Sequence, residues 1–281
     1  VQYAGDEEVS ADIVVDATGP AAPLAKKLDV CTLERKNQAV GIEWELEGVE
    51  IDHPEFADLT DAMMLRLDHE YAPGGYSWVF HTGGDAAKVG VCYIQSESYQ
   101  QYGDTSKSID GHLNHWLETD PRFADAERIT DKQQHRGSAH IQMPDSLSTD
   151  SFMAIGDTVP TIDPLWGEGI HKCMESARAA AVTADRCLMG SETDTSAESM
   201  SIYDDLWHAR VAPDMRTRLT MTQLLYLAPN ERYDRLMNDL NAMDVETLSD
   251  ANDGSIRSLA KLTHLDDVPL LARFAKQRLA G

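Results

Sequence analysis

Three stretches of this sequence hold residue types at spacings that could do chemistry. The longest runs from Phe152 to Met189. A short apolar run, Phe152 to Ile155, gives way to Gly156-Asp157 and then to a turn-rich passage with Pro160, Pro164, Gly167 and Gly169. A helical pattern opens at Ile170, where Ile170, Cys173, Met174, Ala177, Ala181, Ala184 and Leu188 recur at three and four, which predicts the face that packs on a sheet. Pro stays out of a helix interior and Gly lets backbone approach a ligand closely. The passage therefore delivers a helix N-terminus suited to an anionic or polar group. In the second stretch, Tyr76-Ser77-Trp78-Val79-Phe80-His81, residues two apart share a strand face, so Tyr76, Trp78 and Phe80 form one aromatic stripe. The third is Ala11 to Ala17, a near-continuous buried strand by its pattern, which runs into Thr18-Gly19-Pro20. Taken as residues alone, each stretch also has a purely structural explanation: a glycine-bearing loop between strand and helix, rings that fill a core between sheet and helices, and a strand ending in a turn.

The elements that must position these groups follow from period and punctuation. Val1 to Ser10, with Gly5, Asp6 and Glu7, reads as a hairpin. Val40 to Leu46, Met63 to Leu67, Tyr76 to His81 and Lys88 to Ile94 read as strands separated by Gly/Asp turns, with no helix between them. Strand after strand without a crossover argues for an antiparallel sheet inserted into an α/β domain. Ser106 to Leu117 reads as an amphipathic helix, Ile129 to Ile141 as a long returning strand, and Pro144 closes the insert. An acidic linker spans Ser191 to Ser199. Helical periodicity then covers Tyr203 to Val211, Met215 to Leu227, Tyr233 to Leu240 and Ile256 to Leu279.

At 281 residues the chain has room for one large or two ordinary domains. It carries 24 Lys and Arg against 48 Asp and Glu, a net charge of −24 spread along its length. No basic face is available for phosphates, which excludes nucleic acid as a partner. The same excess predicts a halophilic archaeal protein, because a salt-filled cytoplasm screens the repulsion and hydrated carboxylates keep the chain dispersed. Cys31, Cys92, Cys173 and Cys187 form no CxxC pair and no His-rich spacing, which argues against a metal site or a disulfide framework; Cys173 and Cys187 are expected to be buried in the helix. With no apolar run near roughly eighteen residues and no signal peptide, the expected location is cytoplasmic.

Gly156-Asp157 followed by Asp163-Pro164-Leu165-Trp166-Gly167-Glu168-Gly169-Ile170 resembles the second FAD-binding signature of the p-hydroxybenzoate-hydroxylase-like flavoproteins, a GD pair followed by a PxxGxG loop and a helix. The resemblance implies that Asp157 holds the ribityl chain of FAD. It also implies that Gly156, Pro164, Gly167, Gly169 and Ile170 build the loop and helix N-terminus at the pyrimidine side of the isoalloxazine, with the amides of Gly167, Gly169 and Ile170 donating. A helix N-terminus carries roughly half a positive charge, which suits the negative charge that develops at flavin N1 and O2 on reduction. Asp16-Ala17-Thr18-Gly19 is similar to the strand ending that lies beside the adenosine half of FAD in that family, which places Gly19 close to the cofactor. No G-x-G-x-x-G occurs, so the family's first FAD-binding segment is expected upstream of Val1.

A more selective motif, Tyr71-Ala72-Pro73-Gly74-Gly75-Tyr76-Ser77-Trp78-Val79-Phe80 with Val89-Gly90-Val91 after it, resembles the geranylgeranyl reductase family. That family carries YxWxFP after a PGGY-like turn; Tyr76, Trp78 and Phe80 match, and His81 replaces the proline. The implied activity is an FAD-dependent reduction of carbon–carbon double bonds in geranylgeranyl chains, in halophilic archaea those of digeranylgeranyl glycerophospholipids. Tyr76, Trp78, Phe80 and Trp166 are the implied substrate contacts, because an isoprenoid offers only dispersion, apolar burial and π contact. Tyr76 and His81 are the candidate proton donors. Electrons would come from a ferredoxin or NAD(P)H, and contact with a membrane would be peripheral. The fold so implied is an α/β mixture: an incomplete FAD-binding Rossmann-like domain at 1–31 and 146–190, an inserted antiparallel β-sheet substrate domain at 32–145, and a C-terminal helical region at 191–281. Two other functions stay open on the residues, a flavin monooxygenase or halogenase of the same fold and a noncatalytic lipid-binding fragment.

Overall fold

The computed structural model describes residues 2–3, 7–190, 192–253 and 255–280. Strands β1 (Gln2–Tyr3) and β2 (Glu7–Glu8) pair antiparallel, as the expected hairpin requires, and the turn at Gly5 and Asp6 lies outside the described residues. Strand β3 (Val14–Asp16) leads to a short helix α1 (Pro23–Lys27), where Pro23 occupies a first-turn position that needs no N–H. Four strands follow, β4 (Gln38–Glu47), β5 (Met63–Arg66), β6 (Gly75–Gly83) and β7 (Ala86–Ile94), and then a single turn of helix, α2 (Glu97–Gln100). Helix α3 (Ile109–Thr119) starts at Ser108, whose hydroxyl accepts from the Gly111 N–H at 3.2 Å. After it come β8 (Glu127–Arg128), β9 (His135–His140), β10 (Ser148–Thr149), β11 (Phe152–Ala154) and the long helix α4 (Ile170–Leu188). The remainder is helical: α5 (Ala197–Met200), α6 (Ile202–Arg210), α7 (Met215–Leu227), α8 (Asn230–Ala242), α9 (Val245–Asn252), α10 (Ile256–Ala260) and α11 (Val268–Ala280).

The chain forms two units, one of residues 1–34 and 139–219 and the other of residues 35–138 and 220–281, so the helical stretch beyond 191 is shared between them. In the first unit β11 lies between β10 and β3, antiparallel to β10 and parallel to β3, with Phe152 opposite Val14 and Ala154 opposite Asp16. All of β11 is buried, as befits a central strand covered on both faces. The near-continuous buried strand expected over 11–17 is instead a three-residue strand at the side of this small sheet, and Val15 faces solvent.

Helix α4 forms where the periodicity puts it but is turned from the predicted face. Its buried residues are Lys172, Ser176, Ala179, Ala180, Thr183 and Cys187, whereas Ile170 and Met174 are 83% and 68% exposed. Polar groups hold the inner face because each finds a partner there. Tyr203 donates its own hydroxyl proton to the Ala154 carbonyl at 2.9 Å, so Ser176 Oγ, 2.8 Å from Tyr203 Oη, donates to it and accepts from the Gly156 N–H at 3.2 Å. Thr183 Oγ1 donates to the Ala179 carbonyl at 3.0 Å, and Lys172 Nζ donates to the Val211 carbonyl at 2.9 Å. Cys187 is buried as expected, while Cys173 is only half-buried.

In the second unit the strands run in the order β5-β6-β7-β4-β8, with β9 also pairing β4, and β4 to β7 are antiparallel neighbours as the sequence predicts. Alternation sends Val79, Val89, Val91, Ile42 and Leu46 inward, each at most 2% exposed, to pack with Leu113 and Trp116 of α3. The long strand expected over 129–141 is interrupted: the Lys132 N–H donates back to the Ile129 carbonyl at 3.2 Å, and charged residues at the turn stay in water. The helix expected over 256–279 likewise breaks, where the His264 N–H donates to the Asp267 carboxylate at 2.9 Å and Pro269 enters the first turn of α11.

Candidate functional site

Because β3 and β11 are parallel neighbours, the turns after them lie together at the carboxyl ends of the strands, the place where α/β sheets bind ligands. The Gly19 N–H donates to Thr158 Oγ1 at 3.0 Å and ties the two turns to each other. Asp16, which sequence reasoning did not single out, organises the first of them. Its carboxylate is buried and accepts from the Thr18 N–H (3.0 Å), Thr18 Oγ1 (2.6 Å), the Leu24 N–H (3.2 Å) and the Ala25 N–H (3.0 Å). An aspartate two residues before a Thr and a few before a Pro-led helix was the available signal.

Gly156 and Gly167 take φ of +57° and +69°, which glycine adopts without the steric penalty of a Cβ. Between them, buried Asp163 gathers the loop. Its Oδ1 accepts from the Leu165 and Trp166 N–H groups at 3.0 and 3.2 Å, and its Oδ2 is 2.5 Å from Arg218 Nη1. The Asp163 N–H donates to the Glu168 carbonyl at 2.8 Å and the Gly167 N–H to the Asp163 carbonyl at 3.0 Å. The Gly167 amide, expected to face a ligand, is thus spent inside the loop. Gly169 and Ile170 stand at the start of α4, which no side chain caps, so its first amides present the positive end of the helix. Asp157 is beside them: a Cβ on Gly169 would come 3.6 Å from Asp157 Oδ1, and Cys173 Sγ lies 3.6 Å from the same oxygen. Burial and the Asp157 charge push the Cys173 thiol up to about 11, so it stays protonated and donates. Pro164 is buried in the loop and Trp166 is exposed on it.

In the second unit, register sets Tyr76 opposite Cys92, Trp78 between Leu65 and Gly90, and Phe80 between Met63 and Lys88. These residues share the face turned away from α3. Ring centroids are 5.7 Å apart between Tyr76 and Trp78 and 6.2 Å apart between Trp78 and Phe80. The rings are half-buried, and Leu65 and Met63 beside them are 55% and 78% exposed. The stripe therefore stands outside the core under α3, which Val79, Val89, Val91, Leu113 and Trp116 fill without it, and at its Tyr76 end the buried Tyr226 of α7 is a neighbour of Tyr76 and Cys92. Burial, and then the neighbouring Cys92, raises the Tyr76 phenol above its ordinary value, and burial pushes the Cys92 thiol up to about 12. Tyr76 is a protonated donor at any physiological pH.

His81 belongs by alternation with Ser77 and Val79 on the other face, and its ring nitrogens lie 2.9 Å from the Thr60 carbonyl and 3.0 Å from the Gly84 carbonyl. The structure thus brings Tyr76, Trp78 and Phe80 together and sets His81 at a turn. A second residue missed from sequence is His69, fully buried below the stripe's leading turn. Its Nδ1 accepts from the Gly74 N–H at 3.2 Å, which leaves Nε2 to donate to the Ala228 carbonyl at 2.7 Å. A lone histidine with partners far along the chain gives no periodic signal.

Parallel strands ending in glycine turns before an uncapped helix, with an antiparallel sheet that carries an aromatic stripe on the face away from α3, define a class: the flavoprotein fold shared by geranylgeranyl reductases and flavin-dependent halogenases. A geranylgeranyl bacteriochlorophyll reductase-like structure from Thermoplasma acidophilum matches 95% of this chain and 62% of its own at a TM-score of 0.73 and 19% identity. A flavin-dependent brominase matches 99% of this chain and 65% of its own at 0.59 and 18% identity, a likeness of fold alone. No family model matches the sequence. A digeranylgeranylglycerophospholipid reductase of Haloferax volcanii is 62% identical over 276 residues, covering 98% of this chain and 67% of the relative. A second reductase of that name, from Methanothermobacter thermautotrophicus, is 26% identical over 277 residues, covering 98% of this chain and 64% of the relative. The chain belongs to the digeranylgeranylglycerophospholipid reductase family and spans about two thirds of the length of these relatives. The residues at the loop fit the FAD of that class: an uncapped helix N-terminus, a carboxylate beside it, and glycine backbone that no Cβ shields.

Proposed function

We propose that this chain carries the flavin loop and the lipid-binding wall of a reductase that saturates geranylgeranyl double bonds in archaeal glycerophospholipids. The observation that carries this reading is the sheet face formed by Tyr76, Trp78, Phe80, Leu65 and Met63, an apolar surface that α3 leaves uncovered. From Tyr76 to Phe80 it runs about 13 Å along β6, at roughly 3.3 Å per residue, and suits a linear hydrocarbon chain with double bonds that the rings can contact. Reduced FAD, when bound, supplies the hydride. Asp157 would hold the ribityl chain, the Gly169 and Ile170 amides the pyrimidine edge, and Gly19 would lie near the adenosine half. Asp163 and Arg218 keep the loop in shape for that task. Tyr76 is the protonated hydroxyl on the wall and the proposed proton donor to the second alkene carbon. Trp166, exposed on the loop, is the remaining proposed lipid contact.

Among the described residues no helix is long and apolar enough to cross a membrane, so the proposed contact with the bilayer is peripheral. With a net charge of −24, approach to an anionic lipid surface requires salt. The test is to express the chain with its flanking coding sequence in molar salt and incubate it, reduced with dithionite, with digeranylgeranylglycerophospholipid. A yellow protein whose lipid gains hydrogen pairs by mass spectrometry is expected. A colourless protein that binds the lipid unchanged would instead favour a noncatalytic lipid-binding role.

A further inference from the structure

Trp78 lies across the sheet. Gly90 sits opposite it on β7, and Glu43 sits opposite Gly90 on β4, so the three occupy one row over three strands. The indole extends along that row: a Cβ built on Gly90 would fall 2.2 Å from Trp78 Cζ2 and 2.5 Å from Cε2, and Trp78 Nε1 donates to Glu43 Oε2 at 2.9 Å. Strands stand roughly 4.8 Å apart, so the indole, its hydrogen bond and the Glu43 side chain together span the two-strand gap of about 10 Å. Glu43 is itself 3.6 Å from Lys88 Nζ, and Lys88 is 4.0 Å from Glu45. The apolar surface therefore ends in a charged ladder on the β4 side, while on the β5 side Leu65 and Met63 continue it.

We propose that Glu43 and Gly90 are positioning residues for the prenyl chain, Gly90 by leaving room for the indole and Glu43 by fixing its far end. This rests on the lipid-wall reading above. A ring held flat gives a linear chain one continuous floor along β6. The Glu43–Lys88–Glu45 ladder denies it a path across the sheet, because an alkyl chain laid there would strip water from charges. A purely structural account also exists, since an aromatic ring over a strand glycine stabilises the pairing. The two accounts differ in what a change at Glu43 does.

Any side chain at Gly90 also meets the Ile42 carbonyl, at 2.6 Å from an added Cβ, so Gly90→Ala risks the sheet itself and Glu43 carries the test. Binding of digeranylgeranylglycerophospholipid in mixed micelles is measured by calorimetry on the full chain in molar salt, with melting temperature and near-ultraviolet circular dichroism recorded alongside. Glu43→Gln, which keeps an acceptor for the indole N–H, is expected to bind like the parent. Glu43→Ala is expected to bind about tenfold more weakly, the scale of one charge-assisted hydrogen bond, with the Trp78 dichroism lost and the melting temperature lowered by only a few degrees. Trp78→Leu should weaken binding at least as much. If Trp78→Leu weakens binding and Glu43→Ala does not, or if Glu43→Gln fails as badly as Glu43→Ala, the positioning role is wrong and the lipid wall stands. If Trp78→Leu leaves binding untouched, the lipid wall is wrong and the positioning role falls with it.

Discussion

In the first unit the groups proposed to face a ligand are mainly backbone, the Gly19 turn and the bare start of α4 at Gly169 and Ile170, in a loop that left-handed Gly156 and Gly167 and the buried side chains Asp16 and Asp163 shape. In the second they are side chains on a regular sheet, placed by nothing more than alternation and register. A polar cofactor edge needs amides at fixed angles, which only an irregular, internally bonded loop supplies. A hydrocarbon needs area, which a flat strand face supplies cheaply. The loop therefore depends on few, distant anchors, and the sheet face depends on which way each residue points.

Substitutions on the two faces of the sheet give the largest expected contrast. Leu113→Ala, on the fully buried inner side, is expected to lower unfolding free energy by about 2–5 kcal/mol, and Leu65→Ala, on the open side, to change it by about 0.5 kcal/mol or less. Equal losses in denaturant titrations would erase the distinction between the faces. Next in size is Asp157→Ala, expected to weaken FAD binding roughly a hundredfold in an absorbance titration, the scale of hydrogen bonds to a charged group; unchanged affinity would remove Asp157 from the flavin reading. Ser176→Ala strips the Gly156 N–H of its acceptor and should cost about 1–2 kcal/mol, while Met174→Ser on the outer face of α4 should stay within about 0.5 kcal/mol. A reversed order there would mean that α4 buries the face predicted from its sequence.

The shallowest expected effect is a pH slope. Burial lowers the pKa of His69, His112 and His140 below the ordinary 6.5, so the folded chain holds them neutral. The unfolded chain then binds more protons in the acid range. Their contribution to stability is whole above about 6.5 and is lost as pH falls through that value toward the lowered folded pKa values. Melting temperatures across this range should fall toward acid, and His69→Gln should flatten part of the slope; a slope of the opposite sign would contradict neutral burial.

Period two carried most of what could be read in advance. It set Tyr76, Trp78 and Phe80 on one face and Val79 on the other, and the strands β4 to β7 stand close to their expected spans. The mixed helix and antiparallel sheet fold and the family were also legible, from the GD loop and the YSWVF strand. The face of α4 was not, because residue type ranks Met174 above Ser176 and Lys172. Only partners 27 and 39 positions downstream, Tyr203 and Val211, make burial of those two favourable. Asp163 escaped notice as an anchor for the same reason, since Arg218 is 55 residues away. Long-range polar satisfaction leaves no periodic trace.

Cys31, Cys92, Cys173 and Cys187 are all free thiols, and burial raises the pKa of each. Alkylating reagents attack thiolates, so at neutral pH the native cysteines should react sluggishly. A cysteine introduced at exposed Leu65 would then take a spectroscopic label selectively, next to Trp78 and without first deleting any native residue. The chain comes ready for site-directed reporting from the β5 side of the proposed lipid wall.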